Sequence, residues 1–146
     1  MISPGAGVQE QLFFHVKMPV AEQTIAIVDD DVRFNRALER LLRASGFETN
    51  TFGSAEEILA NHTAQSHACL ILDVHLPGMS GFELFDRLSA FDPWLPVIFV
   101  TADSRESIRH QAYPISDAIC LQKPFAGAVL LEAVRAQLGR RHFDTE

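Results

Sequence analysis

Positive charge is scarce in this chain. Its 146 residues carry 12 Lys and Arg against 19 Asp and Glu, a formal net charge of −7. Contacts to a phosphate backbone need a basic face, so this balance argues against direct nucleic-acid binding. Cysteine is scarcer: Cys69 and Cys120 are the only two, and each lies in an apolar run that reads as a strand. Different strands predict two buried thiols and no disulfide. No apolar run approaches the roughly 18 residues of a membrane span, so no membrane partner is expected. No basic region precedes the short apolar patch Leu12-Phe13-Phe14-His15-Val16, which argues against a signal peptide. Nothing marks the chain for secretion, and a cytoplasmic location is expected. The six histidines (His15, His62, His67, His75, His110 and His142) lack metal-ligand spacing and read as surface residues. Repeats and low-complexity segments are absent as well. The remaining composition, 47% hydrophobic and 21% charged, is that of an ordinary globular domain long enough to fold on its own core.

What the chain does have is carboxylates at the ends of apolar runs. Cys69-Leu70-Ile71-Leu72 stops on Asp73 and is followed by Val74-His75-Leu76-Pro77-Gly78. Apolar runs of this length bounded by Pro and Gly read as buried strands. A buried parallel strand ends in Asp where the charge can emerge at the carboxyl edge of the sheet, the edge at which open α/β sheets keep their ligands. Thr24-Ile25-Ala26-Ile27-Val28 ends in Asp29-Asp30-Asp31, Pro96 to Val100 ends in Thr101, and Asp117 to Gln122 leads into Lys123-Pro124. A more polar strand around Thr49-Asn50-Thr51 reads as an edge.

Between the strands lie helical spacings. Phe34, Leu38, Leu41 and Leu42 form one stripe, and Phe82, Phe85 and Leu88 another. Ile58 and Leu59 mark a short helix after Ser54, a candidate N-cap with Glu57 three residues on. Val129, Leu130, Ala133, Val134 and Leu138 mark the last helix, with Gly139-Arg140-Arg141 as a C-cap or the start of a linker. The weakest helix spans Ser104 to Tyr113. Phe52, Phe82, Phe85, Phe91, Phe99 and Phe125 read as core or partly buried. Alternating strands and helices predict a parallel sheet with helices on both faces.

Asp29, Asp30 and Asp73 in one concave place would repel one another strongly unless they bound a cation or took up a proton. All-oxygen ligation suits Mg2+. Lys123 adds a positive point charge, Thr101 a hydroxyl donor, and Ala102 leaves room. One nucleophilic carboxylate, one divalent cation, one ammonium and one hydroxyl match the oxygens of a transferring phosphoryl group, with an acyl phosphate as the product. Asp31 reads as the N-cap of the first helix.

Four blocks carry a family resemblance: Ile27-Val28-Asp29-Asp30-Asp31, Leu72 to Gly81, Phe99-Val100-Thr101-Ala102 and Gln122-Lys123-Pro124-Phe125. Over about Thr24 to Leu138 the chain resembles a response-regulator receiver domain of bacterial two-component systems, of the FixJ type. The resemblance implies an α/β, flavodoxin- or CheY-like, doubly wound five-stranded parallel sheet, (βα)5, of strand order 2-1-3-4-5. It implies Asp73 as phosphoacceptor, with Asp30 a direct Mg2+ ligand, Asp29 acting largely through metal-bound water and His75 giving its backbone carbonyl. Thr101 would move to hydrogen-bond the phosphoryl group, and Lys123 would pair with one of its oxygens across a cis bond to Pro124. The implied activity is a signalling switch, not a turnover enzyme, which assists its own phosphotransfer and dephosphorylation. A histidine kinase or phosphotransfer protein would be the donor, and a downstream effector protein or an effector domain outside this sequence the output. Homodimers through the fourth-helix to fifth-helix face are common in the family.

Residues 1–23 read as an extension, 24–138 as the receiver domain and 139–146 as a tail. Two features depart from the family pattern. Cys120 stands where an aromatic residue usually reports phosphorylation, and Pro114 interrupts the segment before it, which predicts a nonstandard output surface around Ser104 to Cys120. Two other functions use similar residues. An aspartyl-phosphate phosphatase of the haloacid-dehalogenase type would place Asp-x-Asp on its first strand, whereas Asp73-Val74-His75 lacks the second Asp. A phosphate-independent adaptor would keep only the fold.

Overall fold

The computed structural model describes residues 24–61, 67–104 and 119–144. The extension before Thr24, the weak helix after Ser104, Pro114, and His15, His62 and His110 lie outside them. Among the described residues, strands and helices follow in the order β1 (Thr24–Val28), α1 (Val32–Ala44), β2 (Glu48–Phe52), α2 (Ala55–Asn61), β3 (Cys69–Asp73), α3 (Gly81–Phe91), β4 (Val97–Thr101), β5 (Ile119–Gln122) and α4 (Gly127–Asp144), alternating as the spacing predicts up to β4. The five strands form one parallel sheet of order β2-β1-β3-β4-β5.

Alternation along the strands sorts the apolar side chains into two cores. Ala26, Val28, Leu70, Leu72, Val97 and Phe99 face α2 and α3, joined by Ile58, Leu84 and Leu88. Ile25, Ile27, Ile71, Ile98 and Val100 face α1 and α4, joined by Leu38, Leu42, Leu130 and Val134. Strands β1, β3 and β4 are buried on both faces, which is why they read as continuous apolar runs. Strand β2 alternates and lies at the edge, as its polar composition predicts.

Local chemistry sets the helix ends. Asp31 caps α1, its Oδ1 accepting from the N–H groups of Arg33 and Phe34. Ser54 Oγ accepts from Glu57 N–H, and Glu57 reaches back to Gly53 N–H instead of Ser54. Ser80 and Glu83 form a full capping box on α3, the pattern that Ser-x-x-Glu ahead of an apolar run signals.

Three readings need correction. His67 is buried, its Nε2 3.1 Å from Asn50 Nδ2 and its ring edge-on to Phe52; burial lowers its pKa. Asn50, on the polar edge strand β2, supplies its hydrogen-bond partner. Phe91 is 66% exposed instead of inward. A repeat of three residues slips about 60° backward per step on a helix, so Phe91 has left the face that Phe82 and Leu88 define. Gly139 does not cap the last helix, which continues to Asp144. A mid-helix glycine costs only about 1 kcal/mol, and the Ala, Leu, Gln and Arg around it favour the helix.

Candidate functional site

The strand order reverses across β1 and β3, and the site residues leave the carboxyl ends there and on β4 and β5. Neighbouring ends are laced by backbone hydrogen bonds: Asp29 N–H to Phe52 C=O at 3.1 Å, Val74 N–H to Val100 C=O at 3.0 Å, and Lys123 N–H to Thr101 C=O at 2.7 Å. The side chains at these ends are therefore set by the sheet, not by flexible loops.

Asp29, Asp30 and Asp73 converge. One carboxylate oxygen from each lies within 4.8 Å of the others. Asp29 is buried with both oxygens engaged, Oδ1 accepting from Asp31 N–H at 2.9 Å and Oδ2 from Lys123 Nζ at 2.8 Å. Asp30 is exposed. Asp73 is buried, and its Oδ1 accepts from His75 N–H at 3.1 Å. Desolvation, with the charge of Asp29 next, pushes the Asp73 carboxyl up to about 6; the His75 N–H and Lys123 oppose the rise and Asp30 adds to it. Three carboxylates this close, one of them partly desolvated and pressed by its neighbours, make an all-oxygen donor set that fits a hard divalent cation such as Mg2+.

Lys123 reaches the pocket but pairs with Asp29, not Asp73. Its ammonium also sits 4.0 Å from the centre of the Phe34 ring. The Lys123–Pro124 peptide is cis. Thr101 is fully buried, and its Oγ accepts from Asp103 N–H at 3.0 Å. The imidazole of His75 is half-exposed, with Nε2 2.6 Å from Asp103 Oδ2, so the loops after β3 and β4 touch beside the pocket. Cys120 is half-buried on β5, in register with Phe99 and packed against the α2–α3 core. Cys69 and Cys120 lie on strands separated by β4 and form no disulfide with each other.

Some supporting residues were not anticipated. Asn35 is buried on α1, and its Nδ2 donates to Asp29 C=O at 2.8 Å and to Phe52 C=O at 3.3 Å, clipping the ends of β1 and β2 together. Its place three residues before Leu38, on the inward stripe, was the available signal. Asp103 carried no such signal, because its partner is 28 residues away.

Two glycines let the loop after Asp73 follow its path. Gly78 adopts φ +82°, which side chains rarely tolerate. At Gly81 a Cβ would lie 2.2 Å from the Asp73 carbonyl oxygen and 2.9 Å from Val74 Cα.

Residues 25–135 match the response regulator receiver domain, and the chain belongs to that family, the phosphorylation-dependent switch of two-component signalling. Nodulation protein W of Bradyrhizobium diazoefficiens is 35% identical over 116 residues, 80% of this chain and 51% of that protein. The transcriptional regulatory protein FixJ of Azorhizobium caulinodans is 34% identical over 116 residues, 80% of this chain and 55% of its own length. A CheY-like receiver domain from Methanospirillum hungatei JF-1 superposes with a TM-score of 0.75 at 28% identity, over 84% of this chain and 98% of its own. The chain thus spans about half the length of these two curated relatives. Among the described residues no helix is long and apolar enough to cross a membrane.

Proposed function

We propose that Asp73 accepts a phosphoryl group from a histidine kinase or phosphotransfer protein and that the modified domain changes its protein contacts. The observation that carries this reading is the convergence of Asp29, Asp30 and Asp73, with Lys123 ion-paired at 2.8 Å on their rim. An ionised Asp73 oxygen attacks phosphorus, the donor's leaving group departs with its bonding pair, and an acyl phosphate results. Above about pH 6 the Asp73 carboxylate is largely ionised, which the attack requires. Thr101 Oγ already accepts from Asp103 N–H, so its own proton is free to be donated to a phosphoryl oxygen once the buried hydroxyl turns outward. Lys123 supplies the ammonium for a second oxygen. Asp29, Asp30 and Asp73, with the His75 backbone carbonyl, would hold Mg2+, which when bound supplies charge neutralisation between carboxylate and phosphate.

In this reading residues 24–138 act as the receiver unit, working in the cytoplasm, while 1–23 and 139–146 flank it. The domain assists its own phosphotransfer and dephosphorylation without turning over a metabolite. The test is intact mass after incubation with acetyl phosphate and Mg2+. One phosphoryl group per chain, lost on chelation and in Asp73→Asn, is the expected outcome. Sustained hydrolysis of small phosphate esters points instead to a phosphatase, and partner binding indifferent to Asp73→Ala and to Mg2+ to an adaptor.

A further inference from the structure

Lys123 has a long, mobile side chain, and an ion pair alone is a weak way to keep it at one spot: an ammonium is a point charge with no preferred direction. Here a second contact holds it. Nζ lies 4.0 Å from the centroid of the Phe34 ring while donating to Asp29 Oδ2 at 2.8 Å. The ring is itself fixed, because Phe125, two residues beyond Lys123, meets it edge-on at 6.1 Å and 88°. Lys123, Phe34 and Phe125 thus close a triangle between the start of α1 and the loop leaving β5. The Lys123 side chain is only 24% exposed, the partly desolvated setting in which an aromatic face attracts a cation best.

We infer that Phe34 is a positioning residue for phosphoryl acceptance: its ring face keeps the Lys123 ammonium at the rim of the carboxylate pocket. The inference rests on the Asp73 reading above. Both Asp29 oxygens are engaged in this structure, so any ligand that draws on Asp29 loosens its hold on Lys123. The ring then retains the ammonium. Unlike a carboxylate it neither neutralises the charge nor takes a proton, so the ammonium stays available to a phosphoryl oxygen. Phe34 also packs against the α1–α4 core, and the test must separate the two roles.

Three variants do so: Phe34→Leu, which keeps apolar bulk; Phe34→Tyr, which keeps the π face; and wild type carrying a ring-fluorinated phenylalanine at position 34, which keeps shape while weakening the face. The first readout is NMR of the metal-free protein. Lys123 side-chain methylene protons should be shifted upfield by the ring current, and the shift should vanish in Phe34→Leu. The second is the rate of Mg2+-dependent labelling by acetyl phosphate. It should fall roughly three- to tenfold in Phe34→Leu, recover in Phe34→Tyr and decline stepwise with fluorination. A Lys123 shift that survives Phe34→Leu overturns the proposal. So do flat rates across the variants in a wild type that labels normally, which leaves the Asp73 reading standing. A wild type that takes no phosphoryl group overturns both.

Discussion

Asp73 is set against its own surroundings. Buried among other carboxylates, its acid is pushed from 3.8 to about 6. The folded chain therefore binds this proton more tightly than the unfolded chain does. By linkage, the contribution of this one group to folding stability is fully present below about pH 4, is lost as pH rises through the interval to about 6, and is level above it. Each pKa unit is worth about 1.4 kcal/mol. Asp73→Asn has the same shape and cannot ionise. In metal-free protein near pH 7.5 it should be more stable than wild type by about 1–3 kcal/mol, a gap that closes as pH approaches 4. Urea denaturation of both proteins across this range measures it. A gap constant with pH would mean that the amide packs better for reasons other than charge. Site residues of this kind were the most legible part of the chain, because a carboxylate at the end of an apolar run has few structural uses. Their partners were not. That Lys123 meets Asp29 instead of Asp73 depends on side-chain reach across a fold, between residues 94 positions apart. Phe34 read only as one member of a helical stripe, since periodicity reports which way a ring faces and not what stands above it.

Elements were legible where burial and polarity alternate and illegible where the deciding fact is a single contact. The polar strand Glu48–Phe52 announced its edge position, and the Thr24–Val28 and Cys69–Asp73 runs their central one. Gly139 looked like a helix end and is not, while Gly81 opens a helix against the strand that presents Asp73. These two glycines make opposite predictions for one substitution. At Gly81 a Cβ would collide with backbone atoms of Asp73 and Val74, which cannot swing aside as a side chain would. Gly81→Ala should destabilise by about 2–3 kcal/mol and slow Asp73 labelling, because relief comes only by moving the end of β3. At Gly139 a Cβ meets nothing within 4 Å. Gly139→Ala should stabilise by about 0.5–1 kcal/mol through a less flexible unfolded chain and better helix propensity, with labelling unchanged. Denaturant melts and acetyl phosphate kinetics on both variants check the pair. Equal effects at the two positions would remove the case for a close approach at Gly81.

At the scale of the whole molecule, the parallel sheet concentrates its carboxyl-edge charge in one place, and the pocket bears that strain until a counter-ion enters. Lys123 offsets part of it from the far end of the sheet, where β5 lies three strands from β1. The cluster of Asp29, Asp30 and Asp73 should respond to divalent cation as any site present only in the folded state does, by raising stability with the logarithm of concentration, to about 2.7 kcal/mol at a hundredfold excess over Kd. Thermal melts titrated with MgCl2 should show this rise for wild type at neutral pH, above the change produced by KCl of matched ionic strength. Asp30→Asn removes the exposed ligand and leaves the Lys123–Asp29 pair intact, so it should start near wild-type stability and gain much less from Mg2+. Asp73→Asn should start higher and also gain less, so that its metal-free advantage narrows or reverses as magnesium is added. This crossing is the sharpest consequence of the geometry, because charge relief by a bound cation and charge removal by mutation act on the same repulsion and cannot add in full. If the three proteins instead rise in parallel, or follow ionic strength alone, the carboxylates do not share an ion.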